Sequence, residues 1–385
     1  MTALLSGFEY QRVEVEGVTV NCATAGSGPP VLLLHGYPQN HLMWRDVAPA
    51  LAEDHTVVLA DLRGYGDSGK PEPDAAGDAY SKKSMARDQL GLMRELGFAQ
   101  FQLVGHDRGA RVSHRLTLDH PEAVTRLAVL DIVPTRHIWH NVTRDMATAY
   151  YHWFFLPVRS GIPEHLIGAD PGFWVRSIVG ALLGQGASLD DAVMEDYIRC
   201  FSDPRTIAGS CADYRSAATI DLVHDDETFA AGRKLECPVL VLWGSQGFVG
   251  RGYHPISVWQ EYAIDVRGEA LPTGHFLPEE APPLVTAALR TFLRLPSGSW
   301  TPSTSPTTTS ATVRPWCSST VIPSIAACGR PSWPPFVTAS VSSPPTCAAT
   351  GTARSRRARC RWRSSPPTSV TCWIARASPA RPWWA

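Results

Sequence analysis

Short apolar runs alternate with longer stretches whose apolar residues recur at helical spacing. Residues 8–15 and 18–25 alternate polar and apolar positions across Glu16-Gly17, the pattern of an antiparallel hairpin. Pro30-Val31-Leu32-Leu33-Leu34 is a fully apolar strand that runs into the glycine loop His35-Gly36-Tyr37-Pro38-Gln39. A helix is expected over 41–53, with Trp44 and Leu51 inward, and a strand over 55–60. That strand leads into the loop 61–69, which is dense in glycine and short polar residues. Next come a helix over 81–96, a buried strand over 101–104, a helix to about 120 and a strand over 127–131.

From 134 to 234 the alternation stops. Tryptophans, tyrosines and short helical patterns take over at 141–155, 170–183, 190–201 and 211–220. Strand–helix order returns at 237–244, continues through 254–262 and a last strand near 263–266, and closes with a helix over 284–295. Apolar strands alternating with helices imply an α/β fold, a mostly parallel sheet with helices on both faces. Residues 1–133 and 235–295 would form this core. Residues 134–234 would be an inserted helical cap over the carboxyl edge of the sheet, where such sheets bind ligands.

Composition narrows the function classes. A formal net charge of −1 offers no basic surface for nucleic acid or an acidic membrane. The N-terminus lacks the basic-then-apolar pattern of a signal peptide, and no run is long enough to span a bilayer. Cys22, Cys200, Cys211 and Cys237 are scattered without metal or disulfide spacing. The expectation is a cytoplasmic enzyme without a metal; a homodimer is left open.

Residues 296–385 break the pattern. They contain no Asp, Glu, Lys, Asn, Gln, His, Tyr, Leu or Met, yet hold five of the nine cysteines and ten arginines. A disordered Pro/Ser/Thr-rich extension usually keeps some acidic or amide residues. All amino acids with adenine in the second codon position are missing. GC-rich DNA read in a shifted frame gives that result, so the segment is expected to be a frame-shifted read-through. Arginines such as those in Arg354-Ser355-Arg356-Arg357 would then be incidental.

The chemistry centres on Gly105-His106-Asp107-Arg108-Gly109, between a strand and a helix. A Gly-x-nucleophile-x-Gly turn of this kind is a nucleophile elbow, its glycines allowing close backbone approach. Asp stands where Ser is usual. A carboxylate attacking an acyl carbon gains little, since an anhydride results. One attacking a saturated carbon forms an ester and expels a leaving group. The alternative is that Asp107 simply caps the helix.

The order of elements, together with His35-Gly36-Tyr37-Pro38, Asp61-Leu62-Arg63-Gly64-Tyr65-Gly66-Asp67-Ser68 and Gly105-His106-Asp107-Arg108-Gly109, resembles the α/β-hydrolase superfamily. Within it the chain is most similar to the haloacetate (fluoroacetate) dehalogenases, over about residues 1–295. The resemblance implies Asp107 as nucleophile and His275, after the last strand, as general base. The orienting acid in many such hydrolases follows the strand after the cap, but Trp243-Gly244-Ser245-Gln246 carries no carboxylate. The dehalogenases place it before the cap, where Asp131 stands.

Arg108 and Arg111 lie next to the nucleophile and one helical turn on, and both could reach one cavity. Two planar cations there suit a small anionic substrate carboxylate; alternatively, either could merely pair a carboxylate of the cap. The resemblance further implies that His152, Trp153 and Tyr214 hold the departing halide, and that the backbone amides of Tyr37 and Arg108 stabilise an oxyanion. The implied reaction is cofactor-free hydrolysis of a haloacetate to glycolate through an aspartyl ester. Epoxide hydrolysis is one rival, kept alive by Tyr150, Tyr151 and Tyr214. A ligand-binding receptor on a hydrolase scaffold is another.

Overall fold

The computed structural model describes residues 5–294; the anomalous segment 296–385 lies outside the described residues. Eight strands form one sheet in the order β1-β2-β4-β3-β5-β6-β7-β8. They are β1 (Glu9–Val15), β2 (Val18–Ala25), β3 (Pro30–Leu34), β4 (Thr56–Ala60), β5 (Phe101–His106), β6 (Val124–Leu130), β7 (Val239–Gly244) and β8 (Val266–Leu271). The β1–β2 and β2–β4 pairs are antiparallel, and every pair from β4 to β8 is parallel. The central strands are apolar and buried because helices cover both faces. The core helices are α1 (Ala48–Leu51), α2 (Lys82–Glu95) and α3 (Asp107–Asp119).

The cap enters between β6 and β7 as eight helices. They are α4 (Thr135–His140), α5 (Arg144–Ala149), α6 (His152–Phe155), α7 (Ile162–Ala169), α8 (Pro171–Leu182), α9 (Asp191–Phe201), α10 (Pro204–Ala217) and α11 (Ile220–Ala230). After β7 come α12 (Phe248–Gly252), α13 (Pro255–Tyr262), α14 (Leu277–Glu280) and α15 (Pro282–Arg294).

Several elements depart from the sequence pattern. The helix expected over 41–53 is a 3-10 turn, His41–Trp44, capped by the Asn40 side chain, followed by the separate short α1. Pro49 in the first turn of α1 lacks the N–H that a continuous helix would use there. The last strand is β8 rather than 263–266. It is an edge strand, and Arg267, Gly268 and Glu269 blur its apolar signal. The pattern over 211–220 straddles α10 and α11, and α7 gave no signal of its own.

In-register parallel pairing sets the strand ends side by side: Leu34 opposite Gly105, His106 opposite Leu130, and Gly244 opposite Leu271. The loops holding Tyr37, Asp107, Asp131 and His275 therefore leave the same edge of the sheet, beneath the cap.

Candidate active site

β5 passes into α3 with no intervening loop. Asp107 sits at the junction with φ of +45°, a conformation rare for a residue with a side chain. The glycines make the turn possible. A Cβ on Gly105 would lie 2.6 Å from the Ala110 Cα, and one on Gly109 2.4 Å from the His35 carbonyl oxygen. The capping alternative fails here. His106 occupies the cap position, while Asp107 Oδ1 turns to the neighbouring loop and accepts from the Tyr37 amide at 3.0 Å.

Asp131 ends β6 with φ of +50°. Its Oδ2 accepts from His275 Nδ1 at 2.6 Å and its Oδ1 from the Gly244 amide at 2.9 Å. The strand end that lacks a carboxylate of its own thus donates its backbone to hold Asp131. His275 Nε2 lies 3.9 Å from Asp107 Oδ2, beyond a direct hydrogen bond. Burial alone would lower the imidazole pKa, but the Asp131 bond and charge, with Asp107, outweigh it and hold His275 above its ordinary value. The fully buried Asp107 is pushed by burial toward neutrality. His275, His106, Arg108 and Arg111 override that, bringing it down to about 2, so it is ionised at neutral pH. His106 donates through Nε2 to the His275 carbonyl at 2.8 Å, pinning the loop.

Both arginines are buried beside the nucleophile. Arg111 Nη1 donates to the Val133 carbonyl at 3.0 Å and to Thr135 Oγ1 at 3.1 Å, and its guanidinium lies 4.5 Å from the Trp153 ring centre. Burial and the neighbouring Arg108 bring its pKa down to about 10, so it remains cationic. Arg108 stacks 4.1 Å from the Tyr214 ring centre. It does pair a cap carboxylate: Nε and Nη2 reach Asp213 at 2.8 and 2.5 Å. Yet each arginine keeps one buried nitrogen without a hydrogen-bond partner, Arg108 Nη1 and Arg111 Nε. An unpaired buried donor on a cation is costly, and an incoming anion would satisfy it.

Asp107, Asp131, His275, Arg111, His152, Trp153 and Tyr214 line one cavity. Arg108 stands behind Tyr214 rather than in the wall. His152 stacks on Tyr37, and burial drives its pKa down to about 3, leaving a neutral ring. The Tyr37 and Tyr150 side chains also belong to the wall, the former held by a bond from Trp174 Nε1 to its hydroxyl. From sequence, Tyr37 is expected to act only through its backbone. Its place in the loop after β3 was the available signal. Among the described residues no cluster of His, Cys, Asp or Glu could hold a metal ion, and no helix is long and apolar enough to cross a membrane.

Comparison with known proteins was made on this background. A family model described as the alpha/beta hydrolase fold matches residues 29–282. The chain is 47% identical to a fluoroacetate dehalogenase of Burkholderia sp over 298 residues, 75% of this chain and 95% of that one. It is 34% identical to a soluble epoxide hydrolase of Corynebacterium sp. (strain C12), covering 74% and 98% of the two chains. A solved structure of a candidate alpha/beta hydrolase from Nostoc sp PCC 7120 superposes with a TM-score of 0.74 at 49% identity, covering 75% and 99%.

Proposed function

The chain belongs to the alpha/beta hydrolase family, and from that premise we propose that it hydrolyses a small haloacetate to glycolate and halide through a covalent ester on Asp107. The observation that carries the reading is one cavity joining an ionised elbow aspartate to the buried cation Arg111, whose Nε has no hydrogen-bond partner, with a second buried cation, Arg108, behind Tyr214. Its fluoroacetate dehalogenase relative supports the same substrate class.

The substrate carboxylate pairs with Arg111 Nε, with the charge of Arg108 behind Tyr214 adding to the attraction, and presents its α-carbon to Asp107. Oδ1 is engaged by the Tyr37 amide, so Oδ2 is the attacking oxygen. Halide leaves toward His152, Trp153 and Tyr214, whose N–H and O–H groups stabilise the departing charge. The 3.9 Å between His275 Nε2 and Asp107 Oδ2 leaves an approach for water beside the ester. His275 takes a proton from that water, Asp131 stabilises the imidazolium, and hydroxide adds to the Asp107 carboxyl carbon. The oxyanion forms on Oδ1, already facing the Tyr37 amide, with the Arg108 amide in the first turn of α3 as second donor. Collapse releases glycolate and restores Asp107. The four described cysteines are unpaired, in keeping with a cytoplasmic setting.

Epoxide opening would use Tyr150 and Tyr214 as proton donors, but it leaves the arginines without a role. The test is one assay with fluoroacetate, chloroacetate and styrene oxide. Halide release with an inert epoxide is expected. Diol formation without halide release would replace this reading by epoxide hydrolysis, and binding without any product by a receptor role.

A further inference from the structure

Behind the cavity, a buried ionic cluster joins the core to the cap. Lys82 is the first residue of α2 and is buried, as are Asp213 and Asp221 of the cap helices. Asp213 accepts from Arg108 Nε and Nη2, from the Tyr65 hydroxyl at 2.7 Å and from Lys82 Nζ. Asp221 Oδ1 accepts from the Lys82 amide at 2.7 Å. Its Oδ2 lies 3.8 Å from Lys82 Nζ and has no hydrogen-bond partner.

The location of Lys82 is physically unfavourable. It sets a cation against the positive end of a helix dipole, in a position that favours acidic residues, and removes it from water. Burial and the nearby Arg108 push its pKa down accordingly. Cap anchoring alone does not require it, since Arg108 and Tyr65 already bond Asp213, and the Lys82 backbone already bonds Asp221. What the ammonium adds is a third residue bonded to Asp213, on Oδ1, the oxygen that also receives Arg108 Nη2. Two cations sharing that oxygen, with Tyr65 on the other, fix the carboxylate plane and hence the Arg108 fork. They also keep Asp213 from being fully spent on Arg108, so the guanidinium, one ring behind the cavity, retains its electrostatic pull on a substrate anion held at Arg111.

The geometry points to Lys82 as a positioning residue for anion binding, acting on Arg108 through Asp213. This rests on the anionic-substrate reading above. It is tested with Lys82→Met by measuring chloroacetate KM and kcat and the inhibition constant of acetate, an unreactive anion. KM and the acetate constant should rise together by roughly tenfold or more, while kcat at saturation stays within about twofold. A merely structural role would lower kcat or the melting temperature and leave the acetate constant unmoved, and that result overturns the inference. Should the single variant fail to fold, Lys82→Met with Asp221→Asn removes one charge of each sign. The same loss of acetate affinity is expected from it, and wild-type affinity would overturn the inference. If the wild-type protein does not bind acetate or chloroacetate at all, the anionic-substrate reading falls, and this one with it.

Discussion

Replacing His275 by Asn should stop the cycle half-way. Displacement of halide needs ionised Asp107, and the two arginine charges that favour its ionisation, on Arg108 and Arg111, survive the change. The loop also keeps its place, because His106 bonds the backbone carbonyl of residue 275 rather than its ring. Hydrolysis of the ester, by contrast, loses its general base. His275 Nε2 is the group 3.9 Å from the reacting carboxylate, and an amide does not accept a proton at neutral pH. General-base catalysis contributes about 10²–10⁴ in rate, roughly 3–5 kcal/mol of barrier. The ester should therefore persist for minutes to hours in place of a normal turnover. Mixing the variant with chloroacetate and weighing the intact protein should show a gain of about 58 Da, the mass of a carboxymethylene group on Asp107. One equivalent of chloride should be released in a burst, followed by little more. A variant that turns over at near wild-type rate, or releases its chloride burst without gaining mass, would refute the two-step reasoning.

Arg111→Lys should raise KM for haloacetates by about tenfold or more, because an ammonium cannot keep the Val133 and Thr135 bonds while presenting a second donor to substrate. Unchanged steady-state kinetics would remove Arg111 from the anion site. Tyr214→Phe keeps the ring under Arg108 but deletes the hydroxyl, so defluorination should fall by about 10²–10³ and dechlorination by less. Equal losses with both halides would deny Tyr214 a role in holding the leaving group. Glu279 is half-buried between Gln39 and Tyr197, and loss of water around the carboxyl lifts its pKa to about 8 from an ordinary 4.5. Its contribution to stability is complete below pH 4.5 and is lost as pH rises through about 8. Glu279→Gln should thus flatten the fall in melting temperature between pH 6 and 9; parallel curves would show that Glu279 does not titrate there.

The parts readable from sequence were those whose signal is local. β3 and β5 are continuous apolar runs, and the elbow glycines flank Asp107 directly. Asp131 was singled out because Trp243-Gly244 offers no acid and the resemblance places one before the cap; in the structure the Gly244 amide bonds it. β8 escaped because an edge strand need not be apolar, and the junction of α10 and α11 because both helices carry mixed faces. Asp213 and Lys82 were invisible for a different reason. A buried ion pair between residues 131 positions apart is set by how the cap lies on the core, which no spacing records.

The most direct test is a single turnover with enzyme in excess over chloroacetate in ¹⁸O-water. If Asp107 Oδ2 becomes bonded to the substrate, water attacks the protein carboxyl carbon. The peptide containing Asp107 should then gain about 2 Da, while the new hydroxyl of glycolate stays unlabelled. Label found wholly in glycolate, with none in the protein, would mean that water displaces the halide directly and would contradict the account.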